Sequence, residues 1–194
     1  MRRLLVLGLM ALPLLVSGCS KGPAEAALKA ADEAIAKAAP LAEKFVPDQF
    51  KTLTDAAAAA KSSFDKGDYA AALAAAKDLP AKAGEILAAA GAKKDELTGL
   101  WNGLAESLPA QLAGVTEKIT AIAALKRLPK GIDAAGLETA KAELAEITGT
   151  WTRATEAFGT GEIPSALQAA NDVKARVEAL VKTLEPVVLP PAKK

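Results

Sequence analysis

Between residues 137 and 158 the large and small apolar side chains fall at Leu137, Ala140, Leu144, Ile147, Trp151, Ala154 and Phe158, alternately three and four apart. That rhythm constrains the fold more than anything else in the chain. At 3.6 residues per turn it places every one of these positions on one face of an α-helix, whereas a strand would scatter them over both faces. Phe50, Leu53, Ala57, Ala60 and Phe64 repeat the spacing, and Leu167, Ala170, Val173, Val177, Leu180 and Leu184 continue it. Leu97, Trp101, Leu104 and Leu108 form a further stripe, resumed after Pro109 by Val115, Ile119 and Ile122. Aromatic residues make up only 4% of the chain, and alanine, the strongest helix former, fills most remaining apolar positions. The fold class expected is all-α, an antiparallel helical bundle whose few large side chains pin an otherwise shallow core.

Proline and glycine punctuate the pattern. Pro23 suits the first turn of a helix, Pro40 is expected to interrupt that helix, and a second is expected from Pro47-Asp48. Gly67 is expected to end the second helix and Asp68 to cap a third, which Pro80 should kink or break. A further helical region is read from Lys94 to Leu128, where Leu128-Pro129-Lys130-Gly131 is a stop. Gly161 and Glu162 mark the last turn, before a final helix that ends ahead of Pro186. The organisation expected is a bundle domain over 23–185, preceded by a short tether at 19–22 and followed by a flexible Pro-rich tail at 186–194.

An internal repeat appears at an offset of 94 residues. Phe64-Asp65-Lys66-Gly67-Asp68 faces Phe158-Gly159-Thr160-Gly161-Glu162, Ala72-Leu73 faces Ala166-Leu167, Ala75-Ala76 faces Ala169-Ala170, and Asp78 faces Asp172. Two related helical hairpins joined by a helical segment are therefore expected. The string Phe64-x-x-Gly67-Asp68-Tyr69-Ala70-x-Ala72-Leu73 resembles the helix turn of tetratricopeptide repeats. That family repeats roughly every 34 residues, which the 94-residue offset does not match, so an ordinary bundle is the better reading.

The first twenty residues are different in kind. Arg2 and Arg3 precede thirteen mostly apolar residues, Leu4 to Val16, and then Ser17-Gly18-Cys19. A basic start, a short apolar stretch and small residues are the layout of an export signal, and a membrane-spanning helix needs roughly 20 apolar residues. Val16-Ser17-Gly18-Cys19 resembles the bacterial lipobox. That resemblance implies removal of residues 1–18, attachment of diacylglycerol to the Cys19 thiol and acylation of the new amine, with the membrane as partner. Cys19 is the only cysteine, so no intramolecular disulfide competes for it. Ser20 stands where, in bacterial lipoprotein sorting, an aspartate would retain the protein at the inner membrane. By the same resemblance the chain is directed to the outer membrane, facing the periplasm. With its alanine-rich helices it is similar to small helical envelope lipoproteins of unassigned function.

Little else carries chemistry. The chain has no histidine, which removes the commonest general base and metal ligand at neutral pH. With Cys19 acylated no thiolate remains, no phosphate loop is present, and the serines lack the glycine-flanked elbow of a nucleophile. No catalytic residue, metal site or cofactor is assigned. The whole chain holds 24 basic and 23 acidic residues. The signal takes Arg2 and Arg3 and no acid with it, so the mature chain is close to neutral and no nucleic-acid partner is implied. Glu143 and Glu146, one helical turn apart, are read as a solvated face, the alternative being a cation or acid–base site. Trp101 and Trp151 have two readings, core pins or contacts for a ligand or partner. The function expected is a non-enzymatic, lipid-anchored scaffold or accessory protein, with an envelope protein as its further partner. The alternative is a carrier for a small apolar ligand or lipid inside the bundle.

Overall fold

A computed structural model describes residues 21–188, and all of its regular structure is helical. The helices are α1 (Lys21–Phe45), α2 (Pro47–Asp65), α3 (Tyr69–Ala76), α4 (Leu79–Ala123), α5 (Ala134–Gly159) and α6 (Ile163–Leu184). The string read as a lipobox, Val16 to Cys19, lies outside the described residues, as do positions 189–194. Two compact units divide the chain between Gly91 and Ala92, so α4 supplies its first turns to one and the remainder to the other.

In the first unit α1 packs on α2 and on α3, and α2 packs on α3. A single residue, Val46, joins α1 to α2, and Pro47 occupies the first helical position of α2, where its missing N–H costs nothing. The core is built largely from alanines: Ala24, Ala31, Ala38, Ala42, Ala57, Ala60, Ala72 and Ala76 are buried, pinned by Leu28, Phe45, Phe50, Leu53 and Leu79. Small side chains at the contacts let neighbouring backbones come close, so the dispersion contacts that larger residues would supply come partly from backbone atoms. In the second unit α5 packs on α6. Trp101, Leu108, Leu112, Val115, Ile119 and Ile122 of α4 join them in one core with Ile147, Val173, Val177 and Leu184.

The prolines behave in two ways, and the burial of the backbone they disturb explains both. A proline inside a helix leaves the carbonyl four residues earlier without its donor. Pro40 was expected to interrupt the first helix, yet α1 runs through it. Pro40 and Ala36, which carries the freed carbonyl, are both exposed, and water can serve as the partner. Pro109 also sits inside α4 and is itself exposed, while Ala105, which carries its freed carbonyl, is half-buried. Pro80 would instead free the carbonyl of Ala76, which is fully buried. The chain breaks there as expected, at Lys77-Asp78, between α3 and α4. The region expected to begin at Lys94 proves to be the continuation of α4, because nothing between Leu87 and Lys94 breaks a helix.

Differences also appear at both ends. Lys21 and Gly22, read as tether, form the first turn of α1. Pro186 and Val187, read as tail, are held: Val187 is buried in the second core, and the Pro186 carbonyl lies so close to Gly131 (φ +98°) that a Cβ there would meet its oxygen at 3.0 Å.

The two turns read as a repeat are alike in their backbone hydrogen bonds. In the first, the Gly67 amide donates to the Phe64 carbonyl at 2.9 Å and the Asp68 amide to Ser63 at 3.0 Å. In the second, Gly161 donates to Phe158 at 3.0 Å and Glu162 to Ala157 at 2.9 Å. Both are Schellman closures with glycine left-handed at the same place, φ +81° at Gly67 and +82° at Gly161. The correspondence continues past the break at Pro80. Leu79, Ala83 and Ala90 are buried, and so are Val173, Val177 and Leu184, each 94 residues on. Lys174 stands where Pro80 does, so α6 is continuous where α3 and α4 are separated.

The first helices of the units also correspond, at a different offset. Ala24, Leu28, Ala31, Ala38, Ala42 and Phe45 match Trp101, Ala105, Leu108, Val115, Ile119 and Ile122, each 77 residues on. The inward positions of α1 and α4 thus share a spacing but none of the six residues, and the hairpin is the element whose residues repeat. The offsets differ because Val46 alone links the first pair, whereas a loop over 124–133 and extra early turns of α5 link the second.

Candidate functional site

Two features stand out among the described residues, and the first is aromatic. Trp151 and Phe158 sit seven residues apart, two turns along one face of α5. Both rings lie parallel to Trp101 of α4: Trp101 and Trp151 have centroids 5.5 Å apart with planes at 13°, and Trp101 and Phe158 are 4.6 Å apart at 7°. Trp101 is only 4% exposed, and Trp151 and Phe158 are half-buried. The structure therefore brings the two tryptophans read from the sequence together and adds Phe158, which the stripe pattern placed on the same face without showing its partner. A ring only 4% exposed offers almost no surface to a ligand, so at Trp101 the core reading fits.

The second feature is charged. Arg176 of α6 reaches across to α5, where its Nε donates to Glu143 Oε1 at 2.7 Å and its Nη2 to Glu146 Oε2 at 2.9 Å. Its Nη1 lies 3.8 Å from Asp172 Oδ2. The hydrogen bond from Arg176 holds the Glu143 carboxyl below its ordinary value, and the same bonds from Glu143 and Glu146 raise the guanidinium further above its own. Glu143 and Glu146 thus form a clamp between helices, with the arginine placed where a cation would have to sit. Sequence reasoning paired the two glutamates and missed Arg176. The signal was present: Glu146 and Arg176 stand fifteen residues before and after Gly161, which places them opposite each other once the chain reverses there.

Among the described residues no cluster of three His, Cys, Asp or Glu side chains is arranged to hold a metal ion. Shallow grooves follow the helix seams. One of 680 Å³ runs between α4 and α5 past Ile119, Leu144 and Thr148. Another of 390 Å³ lies between α4 and α6 past Val115, Val181 and Leu184. Neither is lined by Trp101 or Trp151, and neither gathers more than one or two charged groups. No helix among the described residues is long and apolar enough to cross a membrane.

Comparison with protein-family models, with curated protein sequences and with solved structures gives no match.

Proposed function

We propose that this chain is an exported bacterial lipoprotein that holds a non-enzymatic helical scaffold at the periplasmic face of the outer membrane. The observation that carries the reading is Cys19: the only cysteine of the chain, preceded by Val16-Ser17-Gly18 at the end of a short apolar stretch. Two or three acyl chains at one residue give stable attachment, each buried CH₂ contributing about 0.8 kcal/mol. The helical domain then needs no membrane-binding face of its own. Its role is to present helix surfaces to envelope partners at the raised local concentration that confinement to a surface provides. The all-helical fold, the absence of histidine and the closure of Glu143 and Glu146 on Arg176 support a scaffold over a catalyst. The stacking of Trp151 and of Phe158 on the buried Trp101 ring supports a packed core over a carrier.

The test is metabolic labelling with a clickable palmitate in a bacterial host, followed by membrane fractionation of wild type and Cys19→Ala. The wild type should carry label and sediment with outer membranes, and the variant should lose both. Label on the variant, or wild-type protein free of label, would overturn the reading. Crosslinking in intact cells should then recover an envelope protein with the wild type and not with the variant.

A further inference from the structure

We propose that one end of the first unit, formed by the start of α1 and the α2–α3 turn, lies against the lipid headgroups, set there by the shortness of its link to the anchor. This rests on the lipid-anchor reading and adds to it which surface meets the bilayer. Helix α1 is already formed at Lys21. Only two peptide units separate that residue from Cys19, a reach of at most about 7 Å.

What shares that end follows from contacts along the antiparallel pair. Lys61 of α2 pairs with Asp32 of α1 at 2.8 Å, which fixes the register. Eleven residues nearer the start of α1, about three turns, the Lys21 ammonium lies 5.9 Å from the centre of the Tyr69 ring, and Tyr69 meets Phe64 edge-on at 5.0 Å. Lys66 and Gly67 are exposed at the tip of the same turn. The opposite end of the pair, at Phe45, Val46 and Pro47, is the length of α1 away, about 37 Å for its 25 residues.

The side chains suit headgroup depth. Tyr69 is half-buried and carries the hydroxyl and ring that favour a membrane–water interface. Its counterpart in the second unit, Ile163, is buried and has neither. Charge does not set the orientation: Lys21 and Lys66 are offset by Glu25, Asp65 and Asp68. The placement therefore holds on zwitterionic lipid and persists in high salt, unlike that of a basic patch.

The experiment uses the mature lipidated chain, purified from bacterial membranes and reconstituted in phosphatidylcholine vesicles. Acylation blocks the one native thiol, so a fluorophore on Lys66→Cys or Gln49→Cys is the only label. The quencher is a nitroxide on the lipid headgroups. Quenching should be several-fold stronger at position 66 than at 49, unchanged by high salt, and largely lost when a flexible Gly/Ser stretch is inserted between Ser20 and Lys21. Protein that floats with vesicles but shows equal quenching at both positions, or quenching unaffected by the insertion, would overturn the proposal while leaving anchorage intact. Protein that does not float would overturn the anchorage, and this placement with it.

Discussion

Replacing Trp101 by alanine puts the reading of the aromatic stack at risk. The side chain is 4% exposed and touches two parallel rings. Truncating a buried tryptophan costs about 3–5 kcal/mol, of which two ring contacts supply roughly 1–3 kcal/mol. A domain of this size is stable by only about 5–15 kcal/mol, so the loss is a large share of the total. Urea unfolding followed by tryptophan fluorescence reports on the second unit, because both tryptophans belong to it. Trp151 remains as the probe in Trp101→Ala. Leu100→Ala is the control: the neighbouring residue on the same helix, 53% exposed, should cost under about 0.5 kcal/mol. A loss below about 1 kcal/mol for Trp101→Ala, or equal losses for the two variants, would refute the assignment of this ring to the core. It would also reopen the seam between α4 and α5 to a ligand.

Further expectations concern the clamp and the turns. Arg176→Met should cost about 1 kcal/mol at neutral pH, discounted for the exposure of its carboxylate partners. The folded-state pKa of Glu143 is depressed, so its contribution is complete above its ordinary value of 4.5 and fades as pH falls through the lower folded value. The stability gap between wild type and Arg176→Met should therefore narrow in acid, and urea midpoints across that range would show a constant gap if the clamp were not as described. Gly67→Ala and Gly161→Ala should each cost about 1–2 kcal/mol from the left-handed backbone. A Cβ at either position meets nothing within 4 Å, so the two losses should be similar, and a large difference in denaturation midpoints would break the equivalence of the turns.

The helix faces were legible because their periodicity is regular: Leu137, Ala140, Ile147 and Ala154 are buried as the stripe requires, and Gly67 and Gly161 end their helices where a left-handed residue is needed. The prolines were legible only in part. Sequence shows that Pro40, Pro80 and Pro109 each remove a donor. Whether the helix stops depends on whether the freed carbonyl reaches water, which is a property of packing. The hairpin repeat was visible because its identities survive at one offset. The shared spacing of α1 and α4 escaped because the unequal links shift its offset, and because Trp101 stands where the first unit has Ala24. At the charged site the sequence supplied both acids, while the arginine that closes on them arrives from the opposing helix. The proposed anchor is a different case: it is read from a local string of four residues, Val16 to Cys19, which lies outside the described residues.

The most direct measurement is the mass of the N-terminal peptide of the protein isolated from bacterial membranes. Lipid anchorage requires that peptide to begin at Cys19 and to carry diacylglycerol on its thiol. A peptide that retains residues 1–18, or that begins at residue 19 with an unmodified thiol, would contradict it.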